Sequence, residues 1–366
     1  MEGEDPVENG ARSAKPQPGR NWGCTVAPVA ALVGIVLALR WSAAVGIPVV
    51  VVAAVLGWRS AKRSSAIAEA ERAHRLAAHG PLVGDVWRRL FAADGIGDVV
   101  DKVAPHVRTA VRVATTPAEG LPLGASRVGG IPDLAPGMVW PRHKGAPLAF
   151  LAQFDLRAVA QVAPLSPLPR TGHLWFFYDA RDYAGTGGPS NGSDVSVLHD
   201  PGDAPLVKTD PPVDLSKKSR FPSCAVILEA YEDIPDLSNE RWLDTLLDED
   251  GPRSEAYLEI QSELESGAHR DTHKLLGYAG PVQDVMELEC HLASKGIPYP
   301  PLRKKEADRV EALEAAARDW RLLFQVESDG NAKMMWGDAG RLYFWIRDED
   351  LRAARFERTW VVFQCH

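Results

Sequence analysis

The chain repeats itself. Phe150-Leu-Ala-Gln153-Phe-Asp155, followed by Gly172-His-Leu174-Trp-Phe176, returns as Leu323-Phe324-Gln325-Val-Glu327, followed by Gly340-Arg-Leu342-Tyr-Phe344. Each copy runs from apolar residues into Gln, one more apolar residue and an acid. A turn-rich stretch follows, then Gly, a basic residue, Leu and two aromatics. Short aromatic-rich runs bounded by Gly are strand signals. Two matched strand pairs predict an α+β fold: a duplicated, mostly antiparallel β unit with pseudo-twofold symmetry and helical insertions. Residues 150–155 and 172–177 should pair with each other, as should 322–327 and 340–345.

The 366 residues exceed the needs of one such unit. A net charge of -8 leaves no basic surplus to neutralise phosphates, which excludes a general nucleic-acid binder. The acidity is local. Between Glu229 and Glu265 stand 13 Asp or Glu against Arg241 and Arg253, a net of -11. That block predicts a solvated helical lobe at 231–266, between a first β half at about 120–230 and a second at about 270–366. Its docking face would hold Trp242, Leu246, Tyr257 and Ile260, beside Leu243, Leu247 and Leu264. Cys24, Cys224, Cys290 and Cys365 form no C-x-x-C and no disulfide framework, so reduced thiols are expected.

Residues 1–21 are polar and rich in Gly and Pro and read as a disordered tail. From Trp22 to Trp58 the chain is apolar except for Arg40. An Arg at the centre of one long span would be costly, so the run divides into spans 23–39 and 41–58, each at the short end of spanning length. Trp22, Trp41 and Trp58 mark the segment ends. Arg12, Lys15 and Arg20 precede and Arg59, Lys62 and Arg63 follow. Positive charge on both outer flanks predicts a transmembrane hairpin in the cell membrane, with both termini and the soluble domain cytoplasmic. Residues 59–114 read as a helical linker, including a helix at 65–79 and helical or mixed segments at 83–90 and 99–113. Further strands are expected at 195–198, 225–230 and 359–364, and an amphipathic helix at 303–320.

Gly129-Gly130-Ile-Pro132-Asp-Leu134-Ala-Pro-Gly137-Met-Val-Trp140-Pro141 and the following Pro147-Leu-Ala-Phe150-Leu-Ala-Gln153-Phe-Asp155 resemble the YwqG-like family, a bacterial domain of unknown function. So do His273-Lys-Leu275-Leu276-Gly277-Tyr278 and Met335-Trp336-Gly337-Asp338-Ala-Gly340-Arg-Leu342-Tyr343-Phe344. The resemblance covers roughly residues 115–366 and leaves out the hairpin. It implies a duplicated β fold, with a distant relation to the eukaryotic programmed-cell-death-two group, proposed to be chaperone-like in ribosome assembly. It implies no catalytic residues.

Two functions compete. A membrane-tethered interaction module, chaperone-like or immunity-like, would present the aromatics Trp140, Trp175, Phe176, Phe177, Trp336, Tyr343, Phe344 and Trp345 as anchors and select a basic protein partner with the acidic lobe. An enzyme would use Asp338 and His273 as an acid–base pair, and requires them to converge. Gly337-Asp338-Ala-Gly340 also makes good turn chemistry. Gln153 and Gln325 could form a paired site at the symmetry axis, or each satisfy buried backbone. His269, His273, Cys290 and His291 lack zinc-site spacing, and Gly185-Thr-Gly187-Gly188 lacks the rest of a phosphate loop. The binding candidates are therefore Trp140, Gln153, Trp175, His273, Gln325, Trp336, Asp338 and Tyr343. No cofactor, metal, catalytic residue or small-molecule substrate is expected.

Overall fold

The computed structural model describes residues 84–181, 194–202, 205–237, 240–248, 251–266, 273–283, 285–297, 313 and 316–366. Among them no helix is long and apolar enough to cross a membrane. The two apolar segments, the polar tail, the helix expected at 65–79 and most of the helix expected at 303–320 lie outside the described residues.

Helix α1 (Val86–Ala93) buries Val86, Trp87, Leu90 and Phe91 along one stripe. Short helical turns follow over residues 97–106. The chain then enters β1 (Arg108–Pro117), where a helical linker was expected. Thr109, Val111, Val113 and Thr115 alternate as β-branched residues, a period-2 pattern that favours strand over helix. The strands that follow are β2 (Arg127–Val128), β3 (Asp133–Leu134), β4 (Arg142–His143), β5 (Ala146–Pro147) and β6 (Ala149–Asp155). Asp155 caps α2 (Leu156–Val162) by accepting the Arg157 amide at 2.9 Å. Then come β7 (His173–Tyr178), β8 (Val195–Asp200), β9 (Val207–Lys208) and β10 (Cys224–Asp233). The acidic block continues into α3 (Arg241–Leu247) and α4 (Pro252–Ser266). After β11 (His273–Leu276) and α5 (Glu287–Ser294), the chain ends with β12 (Trp320–Glu327), β13 (Arg341–Arg347), α6 (Asp348–Arg352) and β14 (Trp360–Gln364).

Ten strands form one antiparallel sheet in the order β14-β13-β12-β11-β1-β10-β2-β6-β7-β8. Read inward from either edge, the two halves match strand for strand. In chain order β1 opens one copy (with β2, β6, β7 and β8) and β10 opens the other (with β11 to β14), so the second half begins earlier than the expected 270. The two strands meet at the centre, and each pairs outward with a strand of the other copy: β1 with β11, and β10 with β2. The two halves therefore exchange their first strands. The match extends to register. Gln153 faces Trp175 and Arg127; Gln325 faces Tyr343 and Lys274. β6 slips past β7 between Phe150 and Ala152, and β12 slips past β13 at the equivalent place, between Leu322 and Phe324. Gly130 and Gly277, three residues beyond Arg127 and Lys274, share φ values of 76° and 75°. Gly172 and Gly340 lead into β7 and β13, and a Cβ at either would run into a carbonyl oxygen of the neighbouring edge strand, Asp200 or Gln364.

The sheet curls so that its halves face each other. Phe324 lies 4.7 Å from Phe176 and 5.1 Å from Phe154 between ring centroids, and Phe176 lies 5.2 Å from Phe344. This core takes one face of β6–β7 and β12–β13. The opposite face of β6–β7 packs Phe150, Trp175 and Phe177 beneath Leu134, Trp140, Leu148 and Leu215. The equivalent Leu322, Tyr343 and Trp345 pack with Met286 and Cys290. The aromatic strands are thus buried on both faces, and the eight aromatics expected as anchors are core residues rather than solvent-facing ones. Symmetry in an antiparallel sheet supplies two outer layers, and each consumes the side chains that alternation would otherwise present to solvent.

The acidic block divides as well. Its first five residues complete the central strand β10. Leu243, Leu247, Tyr257, Ile260 and Leu264 pack with α1 and Tyr231, with Trp242 and Leu246 half-buried beside them. Asp248, Glu255 and Glu259 are exposed, whereas Asp233, Asp236 and Glu263 are buried. The docking face is the expected one, but the block is not solvated throughout.

Candidate functional site: two matched polar boxes

Every polar candidate of the repeat occupies one of two equivalent boxes, each built where the second and third strands of a half meet the turn that follows the second. In the first half, Gln153 accepts the Asp133 amide through Oε1 at 2.8 Å and donates through Nε2 to the Ala125 carbonyl and the Asp133 carboxylate. Trp175 Nε1 donates to the Asp133 carbonyl at 2.9 Å. The Asp133 carboxylate also accepts Arg127 Nη2 at 2.6 Å and the Gly124 amide. Ser126 Oγ accepts the amide of Asp155, at the end of β6.

The second half repeats the backbone bonds of the glutamine and the aromatic. Gln325 Oε1 accepts the Gly280 amide at 2.9 Å, and Tyr343 Oη donates to the Gly280 carbonyl at 2.8 Å. His273 stands where Ser126 stands, its Nδ1 accepting the Glu327 amide at 3.0 Å. That bond places the imidazole proton on Nε2, which faces Asp329 Oδ2 at 3.3 Å, while Asp329 also accepts Thr115 Oγ1. Lys274 takes the place of Arg127. Gln153 and Gln325 therefore satisfy buried backbone, as buried amides must. Four strands separate β6 from β12, so the two amides form no joint site at a symmetry axis.

The copies differ in one part. Where the first half has Asp133, the second has Gly280, and its missing carboxylate comes from elsewhere. A Cβ on Gly280 would lie 2.8 Å from Glu265 Oε1 and 2.9 Å from Arg341 Nη1. Glu265, from the last turn of α4, accepts Lys274 Nζ at 2.9 Å, while Gln325 Nε2 donates to Glu327 Oε1 at 2.6 Å. Arg341 bonds Glu327 at 2.7 Å and the Gly280 carbonyl. Arg112, almost fully buried on β1, donates to the Leu264 and Glu265 carbonyls and pairs with Glu229 at 2.9 Å, which fastens the end of α4 to the sheet.

The two boxes also differ in exposure. The Arg127 and Asp133 side chains retain 6% and 2% of their surface; Glu265 and Arg341 retain 30% and 29%. Burial opposes ionisation of Glu265, but Lys274 and Arg341 outweigh it and hold the carboxyl below its ordinary value. Burial works against the Lys274 cation too, yet Asp233 and Glu265 raise its pKa well above the usual range. Asp233, 3.6 Å from Lys274, is pushed up to about 6 by burial, with Lys274 opposing. Burial raises Glu327 in the same way, against the pull of Arg341. The second box is more open than the first, and it sets Lys274 and Arg341 among the carboxylates of Glu265, Glu327 and Asp233.

The other candidates fall elsewhere. Trp140 Nε1 donates to the Leu148 carbonyl and the ring packs on Phe177. Trp336 Nε1 donates to the Glu327 carbonyl, and the ring sits edge-on to Tyr178 and Phe221. Both are core. Asp338 is exposed in its turn and its carbonyl accepts the His366 amide, while His273 is fully buried and engaged by Glu327 and Asp329. The expected pairing of Asp338 with His273 does not form. Among the described residues no group of three potential ligands could hold a metal. Cys290 and His291 are buried on α5, and His269 lies outside the described residues. Arg127, Lys274, Arg341 and Glu265 were missed from sequence. The first two share a basic–aliphatic–x–Gly pattern, visible as Arg127-Val-Gly-Gly130 against Lys274-Leu-Leu-Gly277. Nothing in the sequence marks Glu265.

A family model described as a domain of unknown function, DUF1963, matches residues 126–365. It takes in both boxes and leaves out β1. No curated protein matches the chain.

Proposed function

The chain belongs to the DUF1963 family, and from that premise we propose that it is a membrane-anchored protein-interaction module facing the cytoplasm, with the acidic lobe as its docking surface for a basic partner. The reading includes origin by internal duplication of a YwqG-like β unit, which the matched registers and bulges support. The observation that carries the interaction role is the division of labour on α3–α4. Leu243, Leu247, Tyr257 and Ile260 commit one side to the body, while Asp248, Glu255 and Glu259 remain exposed in a block of net charge -11. Charge so concentrated opposes compaction, and its use is steering and selection. The membrane part rests on the two apolar segments and their basic flanks.

Crosslinking capture from membranes tests the partner. Asp248→Lys, Glu255→Lys and Glu259→Lys together are expected to weaken capture about tenfold and flatten its salt dependence. The melting temperature should change little, since exposed pairs contribute about 0–1 kcal/mol. Capture unchanged by the triple reversal would remove the lobe from the interaction. Topology has its own check: a reporter active only outside the cytoplasm, fused after His366, should stay silent, and an active fusion would refute the hairpin.

A further inference from the structure

We propose that the second polar box is a carboxylate-binding site, occupied in cis by Glu265. Comparison of the two copies carries the inference. In the first, the acid belongs to the frame: Asp133 stands six residues beyond Arg127, on the turn whose amide and carbonyl are read by Gln153 and Trp175. In the second, the position of that acid is a glycine, and the Gln325 amide turns to Glu327 instead. Gly280 stands six residues beyond Lys274, and its amide and carbonyl are read by Gln325 and Tyr343 in the same way. The place of the missing side chain is filled by a carboxylate arriving on a different element, the inserted helix α4. Lys274 gives it a charged partner at 2.9 Å, and Arg341, which bonds Glu327, lines the same space.

This is a recognition site in the chemical sense. Lys274 bonds the carboxylate directly and Arg341 borders it, and charge-assisted bonds of this kind are the strong ones. Glycine at the frame position leaves the space that the incoming group needs. The mouth is open, with 30% of the Glu265 side chain exposed, so a small carboxylate can reach the site when Glu265 is shortened. The site is independent of the partner proposed for the exposed face of the lobe. It concerns the end of α4 that faces the sheet.

Glu265→Ala is expected to lower the melting temperature by several degrees, because Lys274 loses a partner. Sodium acetate should then raise it saturably, with half-saturation in the millimolar range, recovering at least half of the loss. Sodium chloride at equal ionic strength should not. The parent protein and Glu265→Ala/Lys274→Met should show no saturable acetate effect. No acetate response in Glu265→Ala, an equal response to chloride, or a response that survives loss of Lys274 would each overturn the proposal. Should Glu265→Ala fail to fold, the transplant Gly280→Asp/Glu265→Ala decides. It restores the first-half arrangement and should fold with a melting temperature near that of the parent, whereas Gly280→Asp alone, which places a second acid against Glu265, should be destabilised. A transplant no better than Glu265→Ala would also overturn it.

Discussion

Phe324→Ala should cost about 3–5 kcal/mol of unfolding free energy, the range for deleting a fully buried phenyl ring. The ring is the hinge pin of the curled sheet. It is wholly buried and touches Phe154 and Phe176 of the first half and Phe344 of the second, the last at 6.1 Å. Its equivalent in the first half is Ala152, so the two copies do not contribute equally to the space between them. One supplies the large residue and the other the small one. Truncating Phe324 leaves two small residues and a cavity walled by aromatic rings that belong to rigid strands and cannot collapse into it. Urea unfolding followed by tryptophan fluorescence should show the midpoint falling with an unchanged slope. A loss below about 1 kcal/mol would mean that the halves do not rely on this contact.

How much of this was legible in the sequence depends on which residues point where. The four repeat strands could be read because β6 and β12 carry an apolar run that closes on Gln and an acid, and β7 and β13 an aromatic run entered through Gly and a basic residue. β1 could not be read the same way. Its alternation of Thr and Val was present, but three short helical turns precede it and the family signature begins after it. The exchange of first strands is invisible in one dimension, because β1 and β10 satisfy the same pairing rules whichever half they join. Aromatic residues misled for a physical reason. Alternation shows that a strand has two faces, not what covers each, and here both were covered. His273 looked chemical because histidine is versatile, yet its position is served by Ser126 in the other copy, so the fold needs only an acceptor there. Glu265 had no local signal because the group it replaces is a side chain absent from a glycine.

Lys274→Met gives the second large effect, and its sign with pH separates electrostatics from packing. Lys274 is buried, 2.9 Å from Glu265 and 3.6 Å from Asp233. Removing one partner of a buried pair costs about 3–5 kcal/mol, and the exposure of Glu265 places this case near the lower end, about 3 kcal/mol at pH 8. Burial already lifts Asp233 to about 6 with Lys274 opposing, against an unfolded value of about 3.9. A carboxyl whose folded pKa is raised penalises the native state at high pH, and the penalty is lifted as pH falls through that pKa, because the folded protein then binds the proton more readily than the unfolded chain. Without Lys274 the Asp233 pKa rises further, so the variant recovers more than the parent between pH 8 and pH 5. Glu265 acts in the same direction. Its depressed pKa gives the parent stability above the unfolded carboxyl value, and the variant has less of that to lose in acid. The stability gap between parent and Lys274→Met should therefore narrow steadily from pH 8 to pH 5 in urea titrations. A gap that stays constant would assign the cost to packing of the lysine stem. A gap that widens in acid would mean that Asp233 is not held above its ordinary range, and the buried charge network would have to be redrawn.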